Sequence, residues 1–183
     1  MYYLRRKIQL STERIRRVST TDCSFSQSVV SMYELYTKDS AAFKLDNKCI
    51  AMKIIRGELL YCGTHWKDLD HVVMPVHVRS ASHWILVHFD VLNRCLTVYD
   101  SMSGPRHESY IVPVVRAFSV MIPLMLEASG FYSRSDINLD VAPYDVVESS
   151  PLSFVIAIGT PQQSDWLVIF FLLCLFFVLF YIF

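Results

Sequence analysis

The eighteen residues from His83 to Asp100, HWILVHFDVLNRCLTVYD, constrain the fold more than any other stretch. Trp84 to Val91 alternates at a period of two. Trp84, Leu86 and His88 share one face, and Ile85, Val87, Phe89 and Val91 share the other. Both faces are largely apolar, so the strand needs cover on both sides. Asn93-Arg94 supplies a turn, and Cys95 to Tyr99 forms a second strand, giving an antiparallel hairpin. A loop over 91–94 sets residue 90 opposite residue 95. His83 then faces position 102, and Asp100 is its diagonal neighbour, roughly 7–8 Å away by backbone and within side-chain reach.

A second feature divides the chain. Residues 166–183, WLVIFFLLCLFFVLFYIF, are all apolar. They raise the hydrophobic share to 53%; without them the remainder is about 48%, ordinary for a globular domain. The 183 residues suit one domain, 1–165, followed by this tail. Formal net charge is +0, which gives no global electrostatic reason for a nucleic-acid partner. Residues 1–17 hold Arg5, Arg6, Lys7, Arg14, Arg16 and Arg17 against Glu13. They read as a solvated surface segment, since no aromatic platform accompanies them. The five cysteines, at 23, 49, 62, 95 and 174, are widely spaced. No zinc or disulfide framework is suggested, and free thiols in a reducing compartment fit best. The N-terminus lacks the apolar core of a signal peptide.

Elsewhere the pattern is coarser. Ser28 to Tyr36 has helical spacing, and Ile50 to Tyr61 is weakly strand-like. Val72 to Val78 is β-rich, with Pro75 arguing for an edge or a bulge. Val114 to Ala128 reads as a buried helix started by Pro113, kinked or split at Pro123 and followed by Gly130. Phe154 to Ile158 is a short apolar strand running into Gly159-Thr160-Pro161-Gln162-Gln163.

A cysteine protease needs a thiolate, an imidazole, and a group that fixes the imidazole tautomer. A nearby donor stabilises the oxyanion. His83 and Asp100 suit the base and the orienter, and Gln162 or Gln163 suits the donor. The assembled order, H-W, alternating strand, turn, strand ending Y-D-S, then P-Q-Q, resembles the ubiquitin-like-protein-specific (SUMO-type) cysteine protease family. YYLRRK at 2–7, TTDC at 20–23 and the run from Trp66 to Val76 resemble its plant-type members. The resemblance covers roughly residues 2 to 165.

The resemblance implies an α+β fold, papain-like in its site but circularly rearranged, with chain order His, Asp, Gln, Cys. It implies hydrolysis after the Gly-Gly end of a ubiquitin-like modifier, with that modifier or its conjugates as partner. No cofactor or metal is implied, and the location would be nucleus or cytoplasm. His83 would be the base, Asp100 its orienter, Gln163 the oxyanion donor, and Trp84 a wall of the Gly-Gly channel. As a plain core tryptophan, Trp84 needs no such role.

Two departures stand against this pattern. The family's nucleophile would fall at position 169, which is Ile169. Cys174 has no D-C-G context, and Cys95 lies mid-strand, so no nucleophile is assigned. The W-L-x-D segment usual upstream is also missing, and with it one channel wall is expected to be lost. The expectation is an incomplete family domain, inactive in this form. A non-catalytic modifier-binding module is the alternative. The tail has three readings: translated intron, which is favoured, membrane anchor, or core helix. As an anchor it would span about 27 Å, close to the ~30 Å hydrocarbon thickness, but no Lys or Arg after Arg134 sets its orientation. A core helix with no polar face would need covering on every side.

Overall fold

A computed structural model describes residues 17–59, 63–102, 104–134, 138, 140, 142–144 and 148–158. Gln162, Gln163, Ile169 and the tail 166–183 lie outside the described residues, as does the basic segment up to residue 16. The elements are β1 (Val18–Thr20), α1 (Cys23–Lys38), α2 (Ile50–Ile55), β2 (His71–Val78), β3 (His83–Asp90), β4 (Cys95–Tyr99), α3 (Pro105–Ala128) and β5 (Ser153–Ile156). Short 3₁₀ turns occur at Trp66–Asp68, Arg79–Ala81 and Phe131–Ser133.

The five strands form one mixed sheet in chain order. β2, β3 and β4 are successive antiparallel neighbours. β1 pairs parallel with β2, and β5 parallel with β4. The hairpin has the register read from its loop length, Asp90 opposite Cys95 and Leu86 opposite Tyr99. Asp90 fixes the turn by accepting from the backbone N–H of Asn93 at 3.0 Å, and Arg94 takes a φ of 48°.

One sheet face carries the main core. Val72, Met74, Val76 and Val78 of β2, Ile85, Val87 and Phe89 of β3, and Leu96 and Val98 of β4 pack with the helices. Phe25 of α1, Trp66, Phe89 and Phe118 of α3 form a chain of ring contacts with centroids 5.3–6.4 Å apart. Aromatic pairs at such spacings contribute about 0.5–1.5 kcal/mol each beyond area burial. On the reverse face, His71, Val73, Leu86 and His88 are also buried, as two apolar faces require.

α1 starts at Asp22, whose carboxylate accepts from the N–H groups of Ser24 and Phe25 at 3.0 and 3.1 Å. Its inner stripe is Phe25, Val29 and Met32, with Ser26 Oγ donating to the carbonyl of Pro75 at 2.6 Å. That bond explains the proline. β1 pairs with β2 only at His71 to Val73, so beyond Val73 one side of β2 is an edge where a missing N–H costs no ladder bond.

Three sequence expectations need correction. Ile50–Ile55 is helix, not strand. Its buried residues are Ala51, Met52, Ile54 and Ile55, a helical spacing, whereas strand alternation would have buried Lys53 beside Ala51 and Ile55. After it the chain reverses at Gly57, with φ of 74°; an added Cβ would meet the Thr64 carbonyl carbon at 2.8 Å.

The long helix is the second correction. It begins at Pro105, not at Pro113. Pro113 lies on its exposed side, where solvent can satisfy a carbonyl left without its N–H partner. The helix is also continuous through Pro123. Its apolar residues Ile111, Val115, Phe118, Met121, Ile122, Met125 and Leu126 are buried in the core. The third is smaller: β5 covers Ser153–Ile156 rather than 154–158, although Ala157 N–H still donates to Val98 O at 2.8 Å.

Candidate active site

His83 opens β3, and Asp100 follows β4 directly. In β3 the odd-numbered residues face the helices, and in β4 the even-numbered ones do. His83 and Asp100 therefore project onto the same, helix-covered face at the open end of the hairpin. The turn before β3 is sharp, with Ser82 at φ of 48°. His83 Nε2 lies 2.8 Å from Asp100 Oδ1, and both residues are 6% exposed.

That distance is hydrogen-bonding range for a charge-assisted contact. Asp100 Oδ1 also accepts from the backbone N–H of Met102 at 2.9 Å. With Nε2–H donated to the carboxylate, Nδ1 of His83 carries the lone pair. This is the arrangement in which an orienting carboxylate leaves the opposite ring nitrogen free to accept a proton.

A third side chain completes the corner, and the sequence reading did not single it out. His107 Nε2 lies 2.9 Å from Asp100 Oδ2, on the other side of the carboxylate. The two imidazoles stand nearly edge to face, with centroids 4.9 Å apart. His107 arrives through the start of α3. Gly104, at φ of 116° and ψ of 154°, turns the chain into that helix, a conformation L side chains rarely adopt. Pro105 then takes the first helical position. The Gly-Pro pair was the available signal; placing the helix start at Pro113 hid it.

Trp84 projects to the reverse face, where its ring lies against His77 with centroids 4.7 Å apart. It does not join His83 on the helix-covered face. Gln163 and position 169 are outside the described residues. Parallel strands β4 and β5 run toward the same end of the sheet, so the described chain leaves at Ile158 on the side where Asp100 lies. Cys95 is half-buried in β4, and its thiol lies 3.8 Å from its neighbour's carbonyl, Leu96 O.

The Ulp1 protease family, C-terminal catalytic domain, matches residues 3–167. No curated protein matches the chain. Among solved structures it is similar to "SUMO protease Ulp1 with the catalytic cysteine oxidized to a sulfinic acid", at 16% identity and a TM-score of 0.43, over 89% of this chain and 55% of that one. A second is "SUMO protease Ulp1 with the catalytic cysteine oxidized to a sulfonic acid", at 17% identity and a TM-score of 0.34, over 78% of this chain and 56% of that one. The chain thus spans a little over half the length of the structures it matches.

Proposed function

The chain belongs to the Ulp1 protease family, and from that premise we propose that it is a cysteine-peptidase-type domain for ubiquitin-like modifiers of the SUMO class, inactive in this form. One observation carries the proposal: the buried His83–Asp100 contact of 2.8 Å, in a sequence with Ile169 where the thiol would stand. The family match itself ends at residue 167.

In this reading His83 Nδ1 is the base and Asp100 the orienter. Gln163 is the oxyanion donor. Without a thiolate no acyl-enzyme forms, and binding and oxyanion interactions alone leave only residual catalysis. What remains available is recognition of the modifier.

A SUMO-type modifier carrying a C-terminal electrophile tests both halves. The expected outcome is saturable, reversible binding with no covalent adduct. An adduct to any cysteine of this chain that forms at stoichiometric level would overturn inactivity. Absence of saturable binding would overturn recognition.

A further inference from the structure

The hydrogen bond from His83 satisfies only half of the Asp100 carboxylate. The His107 side chain is 10% exposed, and its Nε2 approaches Asp100 Oδ2 to 2.9 Å. The direction of that contact is wrong for a hydrogen bond, and among the described residues Nε2 of His107 has no hydrogen-bond partner. A ring nitrogen and a carboxylate oxygen are thus held 2.9 Å apart in a buried corner without a hydrogen bond to offset their burial. A cation shared by the two atoms would satisfy both. One ligand atom from each of His83, Asp100 and His107 falls within 4.8 Å of the others.

We propose that His83, Asp100 and His107 form a binding site for a zinc-class divalent cation. Two imidazoles and one carboxylate make a nitrogen–oxygen donor set that zinc accepts, with metal–ligand distances of about 2.0–2.2 Å. Tetrahedral geometry at those distances separates ligand atoms by about 3.3 Å. The His83 Nε2–Asp100 Oδ1 gap of 2.8 Å therefore needs to open by roughly half an ångström, within the reach of small side-chain rotations. Three protein ligands leave a fourth position for water or for a group on a partner.

Each neutral imidazole would bind through Nε2 and carry its proton on Nδ1, so loading needs no net proton release. Asp100 offsets half the charge of the ion in a corner where an uncompensated charge is costly. The ion and the orienting hydrogen bond use the same atoms, Nε2 of His83 and Oδ1 of Asp100. Metal-bound and base-competent His83 are mutually exclusive states. The site needs no thiol, so it stands whether or not the modifier reading is right.

Titration of the full chain with cobalt(II), followed by zinc displacement, tests the proposal. The expected result is one equivalent of cobalt with the intense visible bands of a four-coordinate ion, bleached by zinc. His107→Ala should weaken binding at least about 100-fold, since loss of a mere outer-shell partner already costs 10–100-fold. His88→Gln, in the separate His71–His88 pair on the reverse face, should leave it unchanged. Imidazole nitrogen shifts of the unaltered chain give a readout independent of any variant's folding: zinc should move His83 and His107 together and spare His71 and His88. No saturable cobalt spectrum up to about 1 mM would overturn the site. So would zinc-induced shifts confined to other histidines.

Discussion

His83 and Asp100, 17 residues apart in sequence, meet at 2.8 Å because the hairpin between them has a single permitted register. A slip of one residue would turn every side chain of β3 to the opposite face. It would take Ile85, Val87 and Phe89, all at most 1% exposed, out of the helix-packed core and put Leu86 and His88 in their place. The packing of three apolar side chains therefore fixes the geometry of a polar pair several residues away. The pair sits where the hairpin opens and where α3 begins, so a helix residue can reach the same carboxylate.

Replacing Asp100 by Asn separates charge from shape. The amide offers one acceptor oxygen, where the carboxylate faces His83 Nε2, His107 Nε2 and the N–H of Met102. With the amide NH2 at the Oδ1 position, the His83 Nε2–H and the Met102 N–H both lose their acceptor. We expect Asp100→Asn to destabilise the chain by about 1–3 kcal/mol, read as a lower urea midpoint at unchanged slope. Nitrogen shifts should show His83 shifting from the Nε2–H to the Nδ1–H tautomer. An unchanged tautomer would mean that Asp100 does not orient this ring.

Arg94 combines a strained backbone with a buried, bonded side chain. Its φ is 48°. Its guanidinium donates to Tyr132 Oη at 2.9 Å and to the carbonyl of Ser150 at 2.8 Å, tying the hairpin turn to the segment before β5. Burial raises the Tyr132 phenol above its ordinary pKa, and Arg94 partly offsets the rise. Arg94→Ala should cost about 2–3 kcal/mol, within the range for leaving buried polar groups unsatisfied. Arg94→Gly should be about 1 kcal/mol less damaging than Arg94→Ala, because glycine takes positive φ freely. Thermal unfolding of both variants decides this; equal losses would show that the backbone at 94 is unstrained.

Asp22 gives a smaller and cleaner test. Its Oδ1 caps α1 through two backbone N–H groups and the Ser24 hydroxyl. Asp22→Ala should cost about 1 kcal/mol and Asp22→Asn much less. Denaturant midpoints of the two variants measure the difference directly. Equal losses would point to a charge effect in place of the cap.

How much of this was readable beforehand follows from the range of the interactions. The β3–β4 hairpin was legible because alternation and a short turn are local. The pairing of three-residue β1 with β2, across some fifty residues, left no local trace. Ile50–Ile55 was misread because six residues of mixed apolar character fit either period until burial shows which face is inside. His107 was missed because Pro113 was read as the start of α3; an exposed proline can sit inside a helix that packing supports elsewhere. The sequence displayed His83 and Asp100 plainly, while the second imidazole depended on tertiary placement of a helix start.

The reverse face of the sheet supplies a pH test. His88 Nε2 lies 3.1 Å from His71 Nδ1, and both rings are 6% exposed. Burial pushes the His88 imidazole down to about 4, with the neighbouring His71 adding to the shift and Asp90 opposing it. The folded pKa is thus below the unfolded value of about 6.5. Between these two values the unfolded chain holds a proton on this ring that the folded chain does not. The stabilisation is fully present above pH 6.5, declines as pH falls, and is gone by about pH 4. The shift is worth about 3 kcal/mol in all. Urea midpoints at pH 7 and pH 4.5 should therefore fall further apart in the unaltered chain than in His88→Gln, which has no proton to take up. Parallel pH profiles for the two would show that His88 accepts its proton in the fold as readily as in the unfolded chain.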